Sequence, residues 1–423
     1  MSDIRFWLWL TLKKGIGSSK ITALLEHFES PEEIYSADEA EFLKVEGLSG
    51  KDVRVLADRS MHRAEVVAES CRKHGIRVLT FDSPYYPALL KTIYDPPYVL
   101  YAKCKERINL NDHMTVAVLG TRTSSPYGIT MAETIAFDMA RQGITVVTGM
   151  ARGIDGAASV GALRGGGVPV AVLGNGLDIC YPPEHKELMK QIIEHGIVLS
   201  EYPPGERPFP WNFKPRNRII TGISYGTVIV EAPQSSGAIN SANWTAEQGR
   251  ELFVVPGDVN RSTSQGSNRL LTEGAQPALS AEDVLCAYQD RFSDLLQQNR
   301  PTEDALKTNF PAYNGWIGKS VTPEKDPIPF SKNEKAKNQK IEAQNLSIQA
   351  AKTVPVTQPS QEKTASLTQQ EKDVLALLKE TPTHIDALIE QGMSPGLLAA
   401  TLTTLELKGM IRALPGKQYC LQK

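Results

Sequence analysis

Two short segments of the 423-residue chain combine residue types that bind phosphates and bases. The first, GTRTSSPYG (120–128), follows an apolar run at 116–119 and precedes a helix-length stretch near 127–141. Because N–H groups at a helix start carry partial positive charge and Arg122 offers a bidentate guanidinium, this segment predicts a phosphate cradle. It matches neither G-x-G-x-x-G nor G-x-x-x-x-G-K-[ST], so the two strongest mononucleotide signatures are absent.

The second segment, FPWNFKPRNRII (209–220), places three basic residues within five positions, beside Trp211 and Phe213. Cations contact phosphates while aromatic faces stack on bases, a combination suited to single-stranded nucleic acids. A structural alternative remains open. In it, Arg216 and Arg218 pair with carboxylates such as Glu231, and Phe213 belongs to the core.

A third segment, TGMARGID (148–155), is rich in small residues that allow close backbone approach. Here Asp155 is expected to cap the following helix or to orient an arginine rather than to act in catalysis. Elsewhere, His185 and His195 share one predicted helix without an H-E-x-x-H pattern, and the serines at 124, 125, 235 and 236 have no base nearby in sequence. We therefore predict no catalytic residue, no cofactor and no metal site.

The elements that position these segments alternate between strands and helices. Apolar runs at 116–119, 144–147, 168–173, 197–199, 227–230 and 252–255 alternate with helix-length stretches near 127–141, 155–164, 184–195 and 241–249. This alternation predicts an α/β domain with a parallel sheet covered on both faces. Ligands of such domains bind at the carboxyl ends of the strands, where glycines occur at 120, 149, 174, 176, 237 and 257.

Different compositions flank this domain. Residues 1–75 are predicted to be helical, with glycine turns at 14–20 and 46–51 that precede helices. This pattern is typical of a helix-hairpin-helix element, whose turns can hold a DNA phosphate. The alternative is a helical packing unit without a DNA contact. The polar segment 325–363 leads us to predict a flexible linker over 291–365. Residues 366–423 are predicted to form a winged helix, with helices at 367–378, 383–391 and 394–408 and a hairpin at 410–414 and 418–421.

Charge and composition exclude several classes of protein. With 46 Lys and Arg against 48 Asp and Glu, the chain does not bind nucleic acid through bulk positive charge, although a local basic site is allowed. Its apolar runs are far shorter than the ~20 residues that span a bilayer, and its apolar N-terminus lacks the features of a signal peptide. Five scattered cysteines without a CxxC pair favour a reducing cytoplasm.

The predicted winged helix carries six basic and six acidic residues over 366–423. Its presumed recognition helix, 394–408, holds one acid and one base, whereas reading a DNA groove normally requires several basic or amide side chains. We therefore predict that this domain is not the main DNA reader and instead contacts a protein. The alternative is weak binding of duplex DNA through Arg412 and Lys417.

The central part of the chain closely resembles the DNA-processing protein A family (DprA, also called Smf). The stretches that carry the resemblance cover about 110–285 almost without gaps: GTRTSSPYG (120–128), TGMARGID (148–155), VLGNGLDICYPPEH (172–185), SEYPPG (200–205), PRNRIITGIS (215–224), VIVEAPQSSGAINSA (228–242), EQGRELFVVPG (247–257) and SQGSNRLLTEGA (264–275). The flanking domains match the layout of that family more weakly.

The resemblance implies an extended Rossmann-like domain over 76–290 that forms a homodimer and has no established catalytic reaction. It also implies a cytoplasmic protein that binds single-stranded DNA, protects incoming DNA during natural transformation and loads the RecA recombinase. Arg122 matches the phosphate-binding arginine of G-[ST]-R. After Phe213 the family usually has a proline and then a variable, often basic, residue, whereas this chain has Lys214 and then Pro215.

The complete set of DNA-binding residues predicted from the sequence is Gly120, Thr121, Arg122, Tyr127, Gly128, Phe213, Lys214, Arg216, Asn217, Arg218, Ser236 and Gly237. Two other functions stay open. One is a nucleotide phosphoribohydrolase, an enzyme on a related fold. Such enzymes carry a P-G-G-x-G-T-x-x-E pattern, which VEAPQSSG (230–237) lacks. The other is a scaffold that recognises proteins through the winged helix.

Overall fold

The computed structural model describes residues 3–316 and, further along, residues 374–375, 378, 383–384, 401–402, 404–405, 410–414 and 418–421. The chain forms two compact units, Met1–Lys325 and Asp326–Lys423. Helices of the first unit are α1 (Ile4–Thr11), α2 (Ser18–His27), α3 (Pro31–Ser36), α4 (Glu39–Phe42), α5 (Gly50–Ala57), α6 (His62–Lys73), α7 (Pro126–Arg141), α8 (Ile154–Arg164), α9 (Lys186–His195), α10 (Pro210–Gly222), α11 (Gly237–Glu247), α12 (Gln265–Thr272), α13 (Ala281–Cys286), α14 (Gln289–Gln298), α15 (Glu303–Leu306) and α16 (Tyr313–Trp316).

The first unit is built on one mixed sheet. Its strands are β1 (Arg77–Thr80), β2 (Val99–Lys103), β3 (Thr115–Leu119), β4 (Thr145–Thr148), β5 (Val170–Leu173), β6 (Ile197–Ser200), β7 (Gly226–Ile229), β8 (Glu251–Val254) and β9 (Gln276–Pro277). The strand order is β1-β2-β6-β5-β4-β3-β7-β8-β9. From β6 to β9 all neighbours are parallel, whereas β1 pairs with β2 and β2 with β6 in antiparallel fashion. The predicted α/β fold is therefore confirmed, and the sequence missed β1, β2 and β9.

Side chains of the central strands are buried on both faces of the sheet. In β3, Val116 and Val118 join one apolar cluster with α7 and α8, while Ala117 and Leu119 join a second cluster with α10 and α11. Burying each such aliphatic side chain contributes about 1.5–3 kcal/mol. Because both faces are covered, the strands read as continuous apolar runs instead of alternating ones.

The N-terminal helices pack into the same core as the sheet. Glycines with positive φ, Gly15 at 89° and Gly47 at 86°, precede α2 and α5 at the two predicted turns. The apolar N-terminal residues Trp7 and Leu8 are buried in the cluster that also contains Val116. The predicted helical domain is therefore confirmed, and it shares a core with the central sheet.

The predicted linker begins too early. Residues 291–316 contain most of α14 and all of α15 and α16, and they pack against the central unit. A Cβ on Gly143 would lie only 2.1 Å from the Leu296 carbonyl oxygen, so these two backbones are in close contact. The Asn299 side-chain amide donates to the Asp112 carbonyl at 2.8 Å. The linker prediction is therefore wrong for 291–316, because these residues are fixed by tertiary contacts; 317–365 lies outside the described residues.

The second unit contains the predicted hairpin. Strands β11 (Ile411–Leu414) and β12 (Gln418–Leu421) pair in antiparallel fashion, and β10 (Thr383–His384) pairs with β12. An apolar cluster of Val374, Leu378, Leu402, Leu405 and Ile411 lies under them. These features confirm the winged helix with one correction, since the helix predicted at 383–391 begins as a strand that extends the hairpin sheet. Of the predicted helices, residues 367–373, 376–377, 385–391, 394–400, 403 and 406–408 lie outside the described residues.

Candidate nucleic-acid interface

A groove opens where the strand order of the sheet reverses. From β3 the chain continues through β4, β5 and β6 on one side, and then crosses to β7 on the other side of β3. Open α/β sheets bind their ligands outside the carboxyl ends of the two strands at such a switch point. The groove there has a volume of about 560 Å³.

We call this feature the switch-point groove. Its lining comprises Leu119, Gly120, Thr121, Arg122, Ala151, Asp155, Pro210, Phe213, Lys214, Arg216, Asn217, Pro233, Ser235, Ser236, Gly237, Ala238, Asn240 and Ser241. Most of the predicted DNA-binding residues line it: Gly120, Thr121, Arg122, Phe213, Lys214, Arg216, Asn217, Ser236 and Gly237. Tyr127, Gly128 and Arg218 lie outside the lining.

Two arginines approach one aromatic ring in the groove. The guanidinium carbon of the exposed Arg122 lies 5.0 Å from the ring centroid of Phe213, and that of Arg216 lies 5.8 Å from it. Phe213 is half-buried, and its ring packs on that of Tyr181 at 5.4 Å. Cations at these distances are attracted to the ring face. The groove wall therefore offers both positive charge and an aromatic surface.

Arg216 is buried, with 4% of its surface exposed. Its guanidinium donates to the Gly149 carbonyl at 3.0 Å and to the Val172 carbonyl. Burial lowers the pKa of Arg216 to about 10, against the opposing attraction of Asp155, so the side chain remains cationic at neutral pH. Arg216 therefore supplies a fixed positive charge at the floor of the groove.

Asp155 is the buried carboxylate that faces Arg216. It accepts the Gly149 N–H at 3.0 Å and the Gly120 N–H at 3.4 Å. Burial raises the pKa of Asp155, while Arg216 opposes this rise. A Cβ on Gly149 would lie 2.7 Å from both the Asp155 carboxylate and the Arg216 guanidinium, so a glycine is required there. This geometry supports the interpretation of Asp155 as an orienting group.

Arg218 points away from the groove, into an ion-pair cluster. Only 4% of its surface is exposed, and its guanidinium lies 2.6 Å from the Glu201 carboxylate and 3.0 Å from that of Asp95. Burial acts to lower the pKa of Arg218, but the attraction of Glu201 outweighs it and raises the pKa. The structural alternative thus applies to Arg218, with Glu201 and Asp95 as partners in place of Glu231. We leave Arg218 out of the proposed interface.

Glu231 has a different role from the one considered in the sequence. Its buried carboxylate accepts the Ser125 N–H at 2.8 Å and the Thr263 hydroxyl at 2.6 Å. Ser125 in turn caps α7 by accepting the Gly128 N–H at 3.1 Å, and a Cβ on Gly128 would lie 2.3 Å from the Glu231 carboxylate. A carboxylate already occupies the positive end of α7, so this helix start is a poor phosphate site.

This arrangement corrects the predicted cradle in one respect. The part of GTRTSSPYG that lines the groove is the strand end at 120–122, whereas Tyr127 and Gly128 anchor α7. The Tyr127 hydroxyl donates to the Pro256 carbonyl at 2.8 Å. Both residues therefore support the loop without lining the groove.

The start of α11 opens into the groove instead. Ser236 caps this helix by accepting the Ala238 N–H at 3.2 Å, and nothing lies within 4 Å of the position that a Cβ on Gly237 would take. The positive end of this helix therefore faces space that an anion can enter. Asn240, in the first turn, also lines the groove and has a buried Oδ1 without a hydrogen-bond partner; the sequence offered no signal for it.

Lys214 is exposed and lines the groove from α10, although Pro215 follows it inside the helix. The departure from the family pattern after Phe213 therefore leaves a basic side chain at the groove.

Carboxylates and metal-binding side chains are sparse among the described residues of the groove. Of the described residues that line the groove, Asp155 is the one carboxylate, and two backbone amides already use it. Within the described parts of the chain, no three His, Cys, Asp or Glu side chains are grouped so as to hold a metal ion. In the same parts, no helix combines the length and apolar character needed to cross a bilayer.

Comparison with known proteins gives matches along the whole chain. The family described as DNA recombination-mediator protein A matches residues 77–289, the DprA winged helix domain matches 358–417, and the SAM-like helix-hairpin-helix tandem matches 11–56. Protein Smf of Synechocystis sp. is 30% identical over 430 residues, which cover 99% of this chain and 98% of that protein.

Two further similarities cover the central region. The DNA processing protein DprA of Bacillus subtilis is 36% identical over 225 residues, covering 53% of this chain and 75% of that protein. The X-ray structure of DprA from Streptococcus pneumoniae superposes with a TM-score of 0.55 at 31% identity, covering 68% of this chain and 98% of that one. With the winged helix and the central sheet in the order that this family shows, the chain belongs to the DprA/Smf family of DNA recombination mediators.

Proposed function

We propose that this protein binds single-stranded DNA in the switch-point groove and thereby acts in recombination. The observation that carries the proposal is the cluster of Arg122, Phe213 and Arg216, in which two cations meet one aromatic face. Phosphates attract the cations, and an unpaired base stacks on an aromatic ring. In a duplex the base faces are already stacked, so the aromatic wall favours single strands.

The charge of the groove sets its expected salt dependence. Arg122, Lys214 and Arg216 contribute three positive charges, and the buried Asp155 contributes one negative charge. Single-strand binding weakens with salt at a slope of about −0.7 per neutralised phosphate. Two to three contacts therefore imply a slope of about −1.4 to −2 when the logarithm of affinity is plotted against the logarithm of salt concentration.

Fluorescence anisotropy with labelled poly-dT, measured between low and moderate salt, tests this proposal. A blunt duplex of equal length is the control. We expect poly-dT to bind more tightly, with the modest slope given above. Equal affinity for the duplex, or a slope near zero, would contradict the proposal.

Protection of incoming DNA, loading of RecA, homodimerisation through the central domain and a cytoplasmic location complete the proposed role. Membership of a family of recombination mediators supports it, and the free thiols of Cys71, Cys104, Cys180 and Cys286 suit a reducing compartment. A loading assay on single strands covered by a single-strand-binding protein is expected to show faster RecA filament growth when this protein is added. Unchanged filament growth would remove RecA loading from the proposal.

We further propose that the groove binds without catalysis. A phosphoribohydrolase needs an available carboxylate beside the sugar. Asp155 is committed to Gly149 and Gly120, and Glu231 to Ser125 and Thr263. Incubation with nucleoside monophosphates, followed by chromatography for free base, is expected to show no release; steady release of base would establish the enzyme instead.

A further inference from the structure

A tyrosine from the segment after α15 is buried beneath the groove. Tyr313, at the start of α16, is only 3% exposed. Its hydroxyl lies 3.1 Å from the Gly153 nitrogen and 3.1 Å from His185 Nε2. The ring packs so closely on α8 that a Cβ on Gly156 would lie 2.5 Å from it. Tyr313 does not line the groove itself.

The hydrogen bonds around this hydroxyl have one consistent direction. His185 Nδ1 lies 3.0 Å from the Met150 carbonyl, which only accepts, so Nδ1 carries the proton. Burial lowers the pKa of His185, which keeps the ring neutral and leaves Nε2 as an acceptor. Tyr313 therefore donates to His185 Nε2, and its oxygen accepts the Gly153 N–H. Every polar atom in this buried series of hydrogen bonds has a partner.

The loop that Tyr313 holds, residues 149–153, supports both arginines of the groove. At one end, the Gly149 carbonyl accepts from the Arg216 guanidinium at 3.0 Å. At the other end, Gly153 has a φ of 73° and lies directly against the backbone that carries Arg122, since a Cβ there would be 2.8 Å from the Arg122 carbonyl oxygen. Movement of this loop would displace both cations.

We propose that Tyr313 is a positioning residue for the single-strand site, acting through Gly153 and His185 on the loop that sets Arg122 and Arg216. This inference rests on the proposed function. The segment that carries Tyr313 lies after the central sheet in the chain, so the site depends on residues beyond those that form the groove. Loss of the Tyr313 hydroxyl leaves the Gly153 N–H and His185 Nε2 unsatisfied and loosens the loop.

The test is Tyr313→Phe in the full-length chain, with Tyr288→Phe as the matched control. Tyr288 is also buried, and its hydroxyl donates to the Tyr225 carbonyl at 3.1 Å, outside the groove lining. We expect Tyr313→Phe to weaken poly-dT binding roughly five- to tenfold and Tyr288→Phe to change it less than twofold. If the two variants lose similar thermal stability, the weaker binding of Tyr313→Phe is due to lost positioning and not to general destabilisation.

Two further measurements test whether Tyr313 acts on binding through Arg122 and through the loop at 149–153. In an Arg122→Ala background, Tyr313→Phe should weaken binding by a smaller factor than in the parent, because one of the two cations that it positions is gone and only the effect through Arg216 remains. Amide hydrogen exchange over 149–153 should be faster in Tyr313→Phe than in the parent. Unchanged affinity together with unchanged exchange would overturn the inference while leaving single-strand binding intact. If the parent does not bind poly-dT, the proposed function fails, and the exchange rates alone decide whether Tyr313 holds the loop.

Discussion

The guanidinium of Arg122 lies 5.0 Å from the ring of Phe213, so a cation and an aromatic face form one wall of the groove. Arg122 comes from the loop after β3, and Phe213 comes from α10. In the proposed interface, Arg122 suits the phosphate of a nucleotide and Phe213 suits its base. The fold brings together two side chains of the proposed interface that are far apart in the sequence.

Arg122→Ala should weaken single-strand binding by about 1.5–3 kcal/mol, the value of a charge-assisted phosphate contact. Because Arg122 is exposed, the thermal midpoint should hardly change. Arg107→Ala is the matched control: this exposed arginine also stacks on an aromatic ring, that of Tyr85 at 4.4 Å, outside the groove lining. Wild-type affinity in a folded Arg122→Ala variant would make Arg122 a structural residue.

Phe213→Leu should weaken binding by about 1–3 kcal/mol through the loss of stacking on one base. Leucine keeps much of the apolar volume, and Phe213 is only half-buried, so the cost in stability should stay well below the about 3–5 kcal/mol of a truncated core phenylalanine. A melting curve beside a binding curve separates the two effects. A large drop in melting temperature with unchanged affinity would place Phe213 in the core instead.

Arg218→Ala should act on stability and not on binding. Removing the guanidinium takes away its charged hydrogen bonds and ion pairs with Glu201 and Asp95, which should cost about 1.5–3 kcal/mol in the free energy of unfolding. Arg269→Ala provides the comparison, because its pair with Glu273 is exposed and should contribute less than about 0.5 kcal/mol. Urea unfolding measures both. Loss of poly-dT affinity in a stable Arg218→Ala variant would restore its predicted role as a DNA ligand.

Stability should fall in mild acid because of His185. Burial lowers its pKa in the folded protein, opposed by the Met150 carbonyl and the nearby Glu184, while Arg152 adds to the lowering. In the unfolded chain the ring takes up a proton near the ordinary value of about 6.5. The unfolded state therefore binds more protons below that pH, and stability is lost as the pH falls from about 6.5 through the lower folded value.

Thermal midpoints of the wild type and His185→Asn between pH 7.5 and pH 5 measure this effect. The wild type should lose more stability over this interval than the variant, whose side chain does not titrate. Parallel pH profiles would show that His185 does not contribute.

Deletion of residues 366–423 should change single-strand affinity by less than tenfold, or about 1.4 kcal/mol. The reason is that this segment has equal numbers of basic and acidic residues, whereas the switch-point groove concentrates positive charge. A larger loss would show that the winged helix is a main DNA contact. A selective loss of duplex binding would support the alternative in which its wing touches the DNA backbone.

The sequence predicts those elements whose apolar pattern is set locally. Strands β3 to β8 are short apolar runs, and α7 begins at a serine cap followed by proline, so both kinds of element are visible in the sequence. By contrast, the sequence does not predict α10 as a helix. It contains Pro215 and buries Asn212, Arg216 and Arg218, so it lacks the apolar stripe by which a packed helix is recognised.

Much of the candidate site could be predicted because its residues follow strand ends. What the sequence could not supply is the direction of each side chain. Arg216 and Arg218 look equivalent in PRNR, but Glu201 and Asp95 approach Arg218 from distant parts of the chain, whereas Arg216 donates to the Gly149 carbonyl. Likewise Tyr313 lies within the predicted linker, and its contact with His185 depends entirely on the tertiary fold.

The short final strand of the main sheet limits edge-to-edge pairing between copies of the protein. An open sheet edge can pair with strands of other copies and so lead to aggregation. Here β9 has only two residues, and one of them, Pro277, has no N–H to offer a neighbour. The sheet therefore ends, at this edge, in a strand that offers another copy little to pair with.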